Sequence, residues 1–170
     1  MTALLRLSGW IDAFNERVGR LLSWLVLAAV LISAGNAIMR KTFNIGSNAF
    51  LEIQWYLFAA VFMLGAGYAF LKNAHVRIDF ISSKLSTRTN TSIDILGMVL
   101  FLIPLSLILI DLSWPLFVRA YDSGEMSQNA GGLIRWPVLL MIPAGFAILL
   151  VQALSELIKR VAYLQGLRDD

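Results

Sequence analysis

Four carboxylates lie within or at the edges of long apolar stretches of this chain: Glu52, Asp94, Asp111 and Glu156. A charge in lipid costs about 2.5–3.5 kcal/mol even on the lenient insertion scale, so such groups are the first candidates for proton relay, ion coupling or substrate contact. Their positions favour a structural role, because each lies where it can reach interfacial water or a helix end. Glu52 and Asp94 fall in the first turns of their apolar runs, where a carboxylate complements the free amides and the positive end of the helix dipole. Asp111 comes closest to an exception, a turn or two inside its run. The amides Asn36, Gln54 and Gln152 are expected to hydrogen-bond between helices, at roughly 0.6–2 kcal/mol each.

The densest polar cluster outside these runs holds Lys72, His75, Arg77, Asp79, Lys84 and Arg88, interleaved with Val76, Ile78, Phe80, Ile81 and Leu85. That pattern suits an amphipathic loop held at a phospholipid surface by its cations. With no cysteine there is no disulfide, thiolate metal site, iron–sulfur cluster or cysteine nucleophile. With a single histidine, haem ligation by two histidines of this chain is ruled out, and a zinc site of nitrogen and sulfur ligands nearly so. No catalytic residue, metal or cofactor is expected, and nucleic acid is not an expected partner.

The elements that must carry these residues are membrane spans. Of 170 residues, 58% are hydrophobic and 15% charged, too apolar for an ordinary soluble domain of this length. Runs from Leu21 to Met39, Ile53 to Leu71, Ile95 to Val118 and Pro137 to Ile158 each cover about 27–36 Å as helix, against a hydrocarbon core of about 30 Å. In lipid every backbone polar group needs a partner within the segment, and the alternating pattern of barrel strands is missing, so the runs read as helices. The expected architecture is a single all-α integral membrane domain over residues 1–170, with spans at about 20–40, 50–72, 93–118 and 136–159. Ten lysines and arginines flank the termini and the middle loop, against four (Arg40, Lys41, Arg119 and Arg135) on the other side. Both termini and the middle loop are therefore expected in the cytoplasm.

Ahead of the first span, Leu7, Trp10, Ile11, Phe14, Val18 and Leu21 recur at three- and four-residue steps, while Arg6, Asp12, Asn15, Glu16 and Arg17 occupy other faces. This predicts an amphipathic interfacial helix over about residues 3–19, lying on the membrane surface. The apolar run beyond Leu21 is longer than a signal-peptide core and lacks a clean cleavage site, so it reads as a span. Trp10, Trp55, Trp114 and Trp136, with Arg135, are expected anchors at headgroup level or at an interface. Pro137 opens the fourth span, whereas Pro104 and Pro143 lie inside spans and should bend them. Small residues Ala29, Ser33 and Ala37, and Gly65 with Ala69, form four-residue stripes suited to close helix packing. One internal echo, Met63-Leu-Gly-Ala-Gly-Tyr-Ala-Phe-Leu against Met141-Ile-Pro-Ala-Gly-Phe-Ala-Ile-Leu, reads as coincidence.

Gly65-Ala-Gly-Tyr-Ala-Phe followed by His75-Val-Arg-Ile-Asp-Phe resembles the signature of the small permease subunit (DctQ-like) of tripartite ATP-independent periplasmic transporters. Glu52 with Trp55, Arg135-Trp-Pro, Ile142-Pro-Ala-Gly-Phe and Gln152-Ala-Leu-Ser-Glu-Leu-Ile are similar to that family's pattern too. The resemblance implies a division of labour in a bacterial inner membrane. A large permease subunit carries organic acid and sodium by an elevator movement, a periplasmic binding protein delivers the substrate, and the small subunit is a non-catalytic support embedded in phospholipid. His75, Arg77 and Asp79 form the family-signature loop. A self-sufficient small homo-oligomeric transporter is the rival reading, with Asp111 as its carboxylate; a membrane enzyme or electron carrier is a weaker one.

Overall fold

The computed structural model describes residues 2–74 and 83–167, and the described chain is almost wholly helical. Four helices are long and apolar enough to cross a membrane: α1 (Thr2–Phe43), α2 (Asn48–Leu71), α3 (Thr87–Ser123) and α4 (Trp136–Leu164). Helix α4 is central, packing against each of the other three. Helices α1 and α2 also pack on each other, whereas α3 packs substantially on α4 alone. The burial follows: 28% of the most apolar stretch of α4 is buried, against 11% in each of the other helices.

The separate surface helix expected over residues 3–19 does not exist as such. Thr2–Phe43 is one helix of 42 residues, about 63 Å long. Its buried residues show why: Ser8, Asn15, Leu22 and Ala29 follow one another at seven-residue intervals, so a single seam faces the bundle from the first turns into the span. The apolar stripe that suggested a surface helix points the other way. Leu7, Trp10, Phe14 and Leu21 are exposed, Trp10 to 74%, while Ser8 and Asn15 are buried. The polar face turns inward because α4 offers it Gln152 and Ser155, both fully buried. Bonded to each other, these groups lose little by leaving water, and the large apolar side chains outside are suited to lipid or a protein partner.

Close approach between α2 and α4 depends on two glycines. A Cβ built on Gly145 would lie 2.5 Å from the backbone oxygen of Met63, and one on Gly67 would lie 2.4 Å from Asn15 Oδ1 and 2.8 Å from Ile148. The two echoing segments thus pack against each other, side by side and parallel. Of the small-residue stripes, Ala29 is buried but Ser33 and Ala37 are exposed.

In α3 the irregularity near Pro104 is a π-helical turn over Met98–Leu102, in which Ile103 N–H donates to the carbonyl of Met98. The turn leaves a mark on packing: the buried residues of α3 are Thr91, Met98, Ser106, Ser113 and Ala120, spaced by seven except for one step of eight across the π turn. The extra residue is absorbed without rotating the seam away from α4. Pro115 also lies within this helix, and Pro143 is buried within α4.

Candidate interaction surfaces

At the end of the bundle that carries both termini, polar side chains join the helices. Asn15 Nδ2 donates to Gln152 Oε1 at 2.8 Å, Gln152 Nε2 donates to Asp12 Oδ1 at 2.9 Å, and the Ser8 and Ser155 hydroxyls share a hydrogen bond of 2.7 Å. Ser155 Oγ also donates to Asp12 Oδ1 at 2.8 Å, and Lys159 Nζ to Asp12 Oδ2 at 2.8 Å. Glu156 pairs with Lys159 one turn away. Beside this network Arg160 pairs with Asp94 of α3, and Arg88 donates to the Leu164 carbonyl at 3.2 Å. Lys72, just past α2, donates to Glu16 of α1 at 2.8 Å and lies over the Tyr68 ring. The Glu16 carboxylate holds the Lys72 ammonium above its usual pKa. Every helix is thus tied into an ionic collar at this end.

At the opposite end, Asn48, Glu52 and Tyr56 lie at four-residue steps on one face of α2 and hold the segment between α3 and α4. Asn48 Nδ2 donates to the Ala130 carbonyl at 2.9 Å, and Tyr56 Oη to the Ile134 carbonyl at 3.0 Å. Glu52 accepts from Leu133 N–H at 2.6 Å, from Asn129 Nδ2 at 2.7 Å and from the Ser127 hydroxyl. The segment folds back on itself through Ser127 N–H to the Leu133 carbonyl and Arg135 N–H to the Glu125 carbonyl, each 2.9 Å. Gly131, with φ of 69°, supplies the left-handed residue at the turn. Glu52 therefore organises a distant loop rather than capping its own helix. Asp94 likewise sits well inside α3, whose first turn is capped by Ser86, its Oγ accepting from Thr89 N–H at 3.2 Å.

Between α2 and this loop opens a cleft of about 740 Å³ lined by Glu52, Trp55, Tyr56, Asn129 and Arg135. Trp55 is 75% exposed at its rim, and Arg135 is held by an ion pair with Glu125. Next to it, Trp136 meets Tyr121 and Phe117 at ring distances of 5.6 and 6.4 Å, and Phe117 meets Trp114 at 5.4 Å, an aromatic cluster of the kind found at a membrane–water boundary.

The remaining singled-out residues scatter. His75, Arg77 and Asp79 lie outside the described residues. Asn36 lines a small apolar pocket between α1 and α2. Gln54 is half-buried on α2, and neither amide finds a hydrogen-bond partner among the described residues. Asp111 points outward from α3, exposed, again with no partner among the described residues. Sequence reasoning assigned no bonding role to Ser8, Asp12, Asn15, Ser155 and Lys159, although the seven-residue spacing of Ser8 and Asn15 and the helical spacing of Gln152, Ser155, Glu156 and Lys159 marked two polar faces fit to meet. It also passed over Asn48, Tyr56 and Ser127, whose partnership with Glu52 no local spacing reveals.

No curated protein and no solved structure matches the chain. The family model described as tripartite ATP-independent periplasmic transporters, DctQ component, matches residues 29–162, which takes in the last third of α1 and all of α2, α3 and the loop held by Glu52, and ends in the last turn of α4. The chain belongs to this DctQ-component family and is a membrane component of a tripartite transporter.

Proposed function

We propose that this chain is the stationary membrane support of a bacterial inner-membrane transporter, bracing a larger elevator-type permease subunit that takes up organic acids with sodium from a periplasmic binding protein. The observation that carries the reading is the inverted polarity of the bundle. Polar side chains are spent on one another inside, glycine contacts bring α2 and α4 together without room for a methyl group, and large apolar side chains cover the outside. A solute path needs polar lining and space; a brace needs a stiff interior and an adhesive exterior. The excess of cations at the collar end supports placing both termini in the cytoplasm, with the Glu52-held loop and the Trp55 cleft facing the periplasm and the binding protein. Phospholipid headgroups then meet the collar on one side and the aromatic cluster on the other.

The test is co-expression with the large permease subunit. The two chains should co-purify in mild detergent, and liposomes holding both, with the binding protein outside, should take up substrate down a sodium gradient. Liposomes holding this chain alone should not. Uptake by the isolated chain, abolished by Asp111→Asn, would establish the homo-oligomeric transporter instead.

A further inference from the structure

We propose that the outward face of α3 around Asp111 is the surface that docks on the large permease subunit, and that the partner presents a lysine or arginine side chain to the Asp111 carboxylate. The inference rests on the function proposed above and adds the face and its chemistry.

Asp111 is directed away from its own bundle. At about 100° per residue, it stands roughly 140–180° around the helix from Ser106, Ser113 and Ala120, the residues buried against α4. Leu107, Ile108 and Trp114 share its side of the helix, and all are exposed. Helix α3 packs substantially on α4 alone, so no other described helix packs substantially on this face.

Its depth makes the exposure costly. Trp114, Phe117 and Tyr121, the α3 members of the aromatic cluster around Trp136, mark the boundary level, and Asp111 precedes them by three, six and ten residues, about 4.5–15 Å along the helix. A long lysine or arginine side chain can snorkel part of the way toward water from such a position, but the short aspartate side chain reaches much less far. A carboxylate held there needs a countercharge or a set of donors, and it has none among the described residues.

Charge complementarity selects the occupant. A second copy of this chain has no suitable cation to offer, because residues 21–39, 48–71, 89–118 and 136–158 contain no lysine or arginine. Two copies meeting at this face would set carboxylate against carboxylate. Lipid headgroups lie at the boundary, above Asp111. A different membrane protein with a cation facing its own lipid side meets the requirement, and in a tripartite transporter that protein is the large permease subunit.

The experiment places an affinity tag on the large subunit, co-expresses the two chains and measures how much of this chain is retained in mild detergent. Asp111→Asn and Asp111→Leu should each lower retention at least about tenfold, as expected when one partner of a buried charge pair is removed. Asp111→Glu should recover most of it, and Asp111→Arg should abolish it. Membrane levels of each variant, followed by a tag on this chain, should equal the wild type, because Asp111 is exposed and has no hydrogen-bond or ion-pair partner among the described residues. A photo-crosslinking residue at Ile108 should capture the large subunit. Wild-type retention of the Asn and Leu variants, or capture at Ile108 of lipid or a second copy only, overturns the proposal while leaving the support function intact. Failure of the wild-type chain itself to be retained overturns the support function and this face together.

Discussion

Replacing Gln152 with alanine should loosen α1 from α4 by a calculable amount. Gln152 is fully buried and makes two bonds of good length across the helix pair, accepting from Asn15 and donating to Asp12. Interhelical hydrogen bonds in membrane proteins contribute about 0.6 kcal/mol on average and at most about 1.7. Two of them amount to about 1.2–3.4 kcal/mol. The neighbours soften the loss unequally. Asp12 keeps Ser155 and Lys159, but the Asn15 amide keeps only the Ile11 carbonyl at 3.3 Å, and its oxygen already lacks a partner. A loss of about 2 kcal/mol should lower the thermal midpoint by about 4–8 °C for a chain of this size, read by far-UV circular dichroism in detergent. A double-mutant cycle with Asn15→Ala isolates the shared bond and should return a coupling of about 0.6–1.7 kcal/mol. Gln152→Glu should be no better than alanine at neutral pH, because it removes the donor to Asp12 and adds a third carboxylate around the single Lys159 cation. A midpoint shift no larger than that of Val151→Ala, an exposed position on the same helix, together with zero coupling, would refute the claim that the polar seam joins these helices.

Glu52→Gln should leave the helices intact and free the loop between α3 and α4. A hydrogen bond to a charged acceptor is stronger than one to a neutral amide, so the Leu133 amide should exchange its hydrogen roughly tenfold faster, measured by hydrogen–deuterium exchange on peptides spanning residues 127–134. Gly145→Ala should destabilise by about 1–3 kcal/mol, because its methyl group meets the Met63 backbone rather than a side chain that can move aside; a thermal midpoint equal to that of the wild type would contradict the contact.

The four spans were legible because length and apolarity alone decide whether a helix can cross lipid, and neither needs tertiary information. The surface helix was misread for a related reason. Around residues 3–19 the periodicity of Leu7, Trp10, Phe14 and Leu21 is genuine, but amphipathicity states only that two faces differ, and in a membrane the apolar face is the outer one. The alternation of Ser8 and Asn15 with Leu22 and Ala29 at steps of seven held the needed information, since a seam that continues in phase into the span implies one helix. Glu52 and Asp94 were placed at helix starts from the edges of apolar runs. The helix of Asp94 begins at Thr87, where a Ser86 cap and polar residues extend it ahead of the hydrophobic stretch, so the carboxylate meets Arg160 rather than its own amides. Glu52 has its partners 75 to 81 residues away, a distance over which sequence pattern carries no signal.

The orientation of Asp111 was hidden by one residue. Counting along a regular helix from Thr91 and Met98, the seam facing α4 would continue through Leu105 and Leu112, at steps of seven. On that count Asp111 stands only about 100° from Leu112 and lies beside the bundle. The π turn at Met98–Leu102 inserts one residue and moves the seam to Ser106 and Ser113. Leu105 and Leu112 are thereby released to the exterior, where they are exposed, and Asp111 swings to the far side. The hydroxyls that replace them cost little against α4, because Ser106 and Ser113 return their protons to the carbonyls of Leu102 and Leu109 within their own helix. A local widening that stands just ahead of Pro104 therefore selects which side chains of α3 face α4 and which face outward, and it sets the Asp111 carboxylate among exposed apolar residues on the side turned away from the bundle.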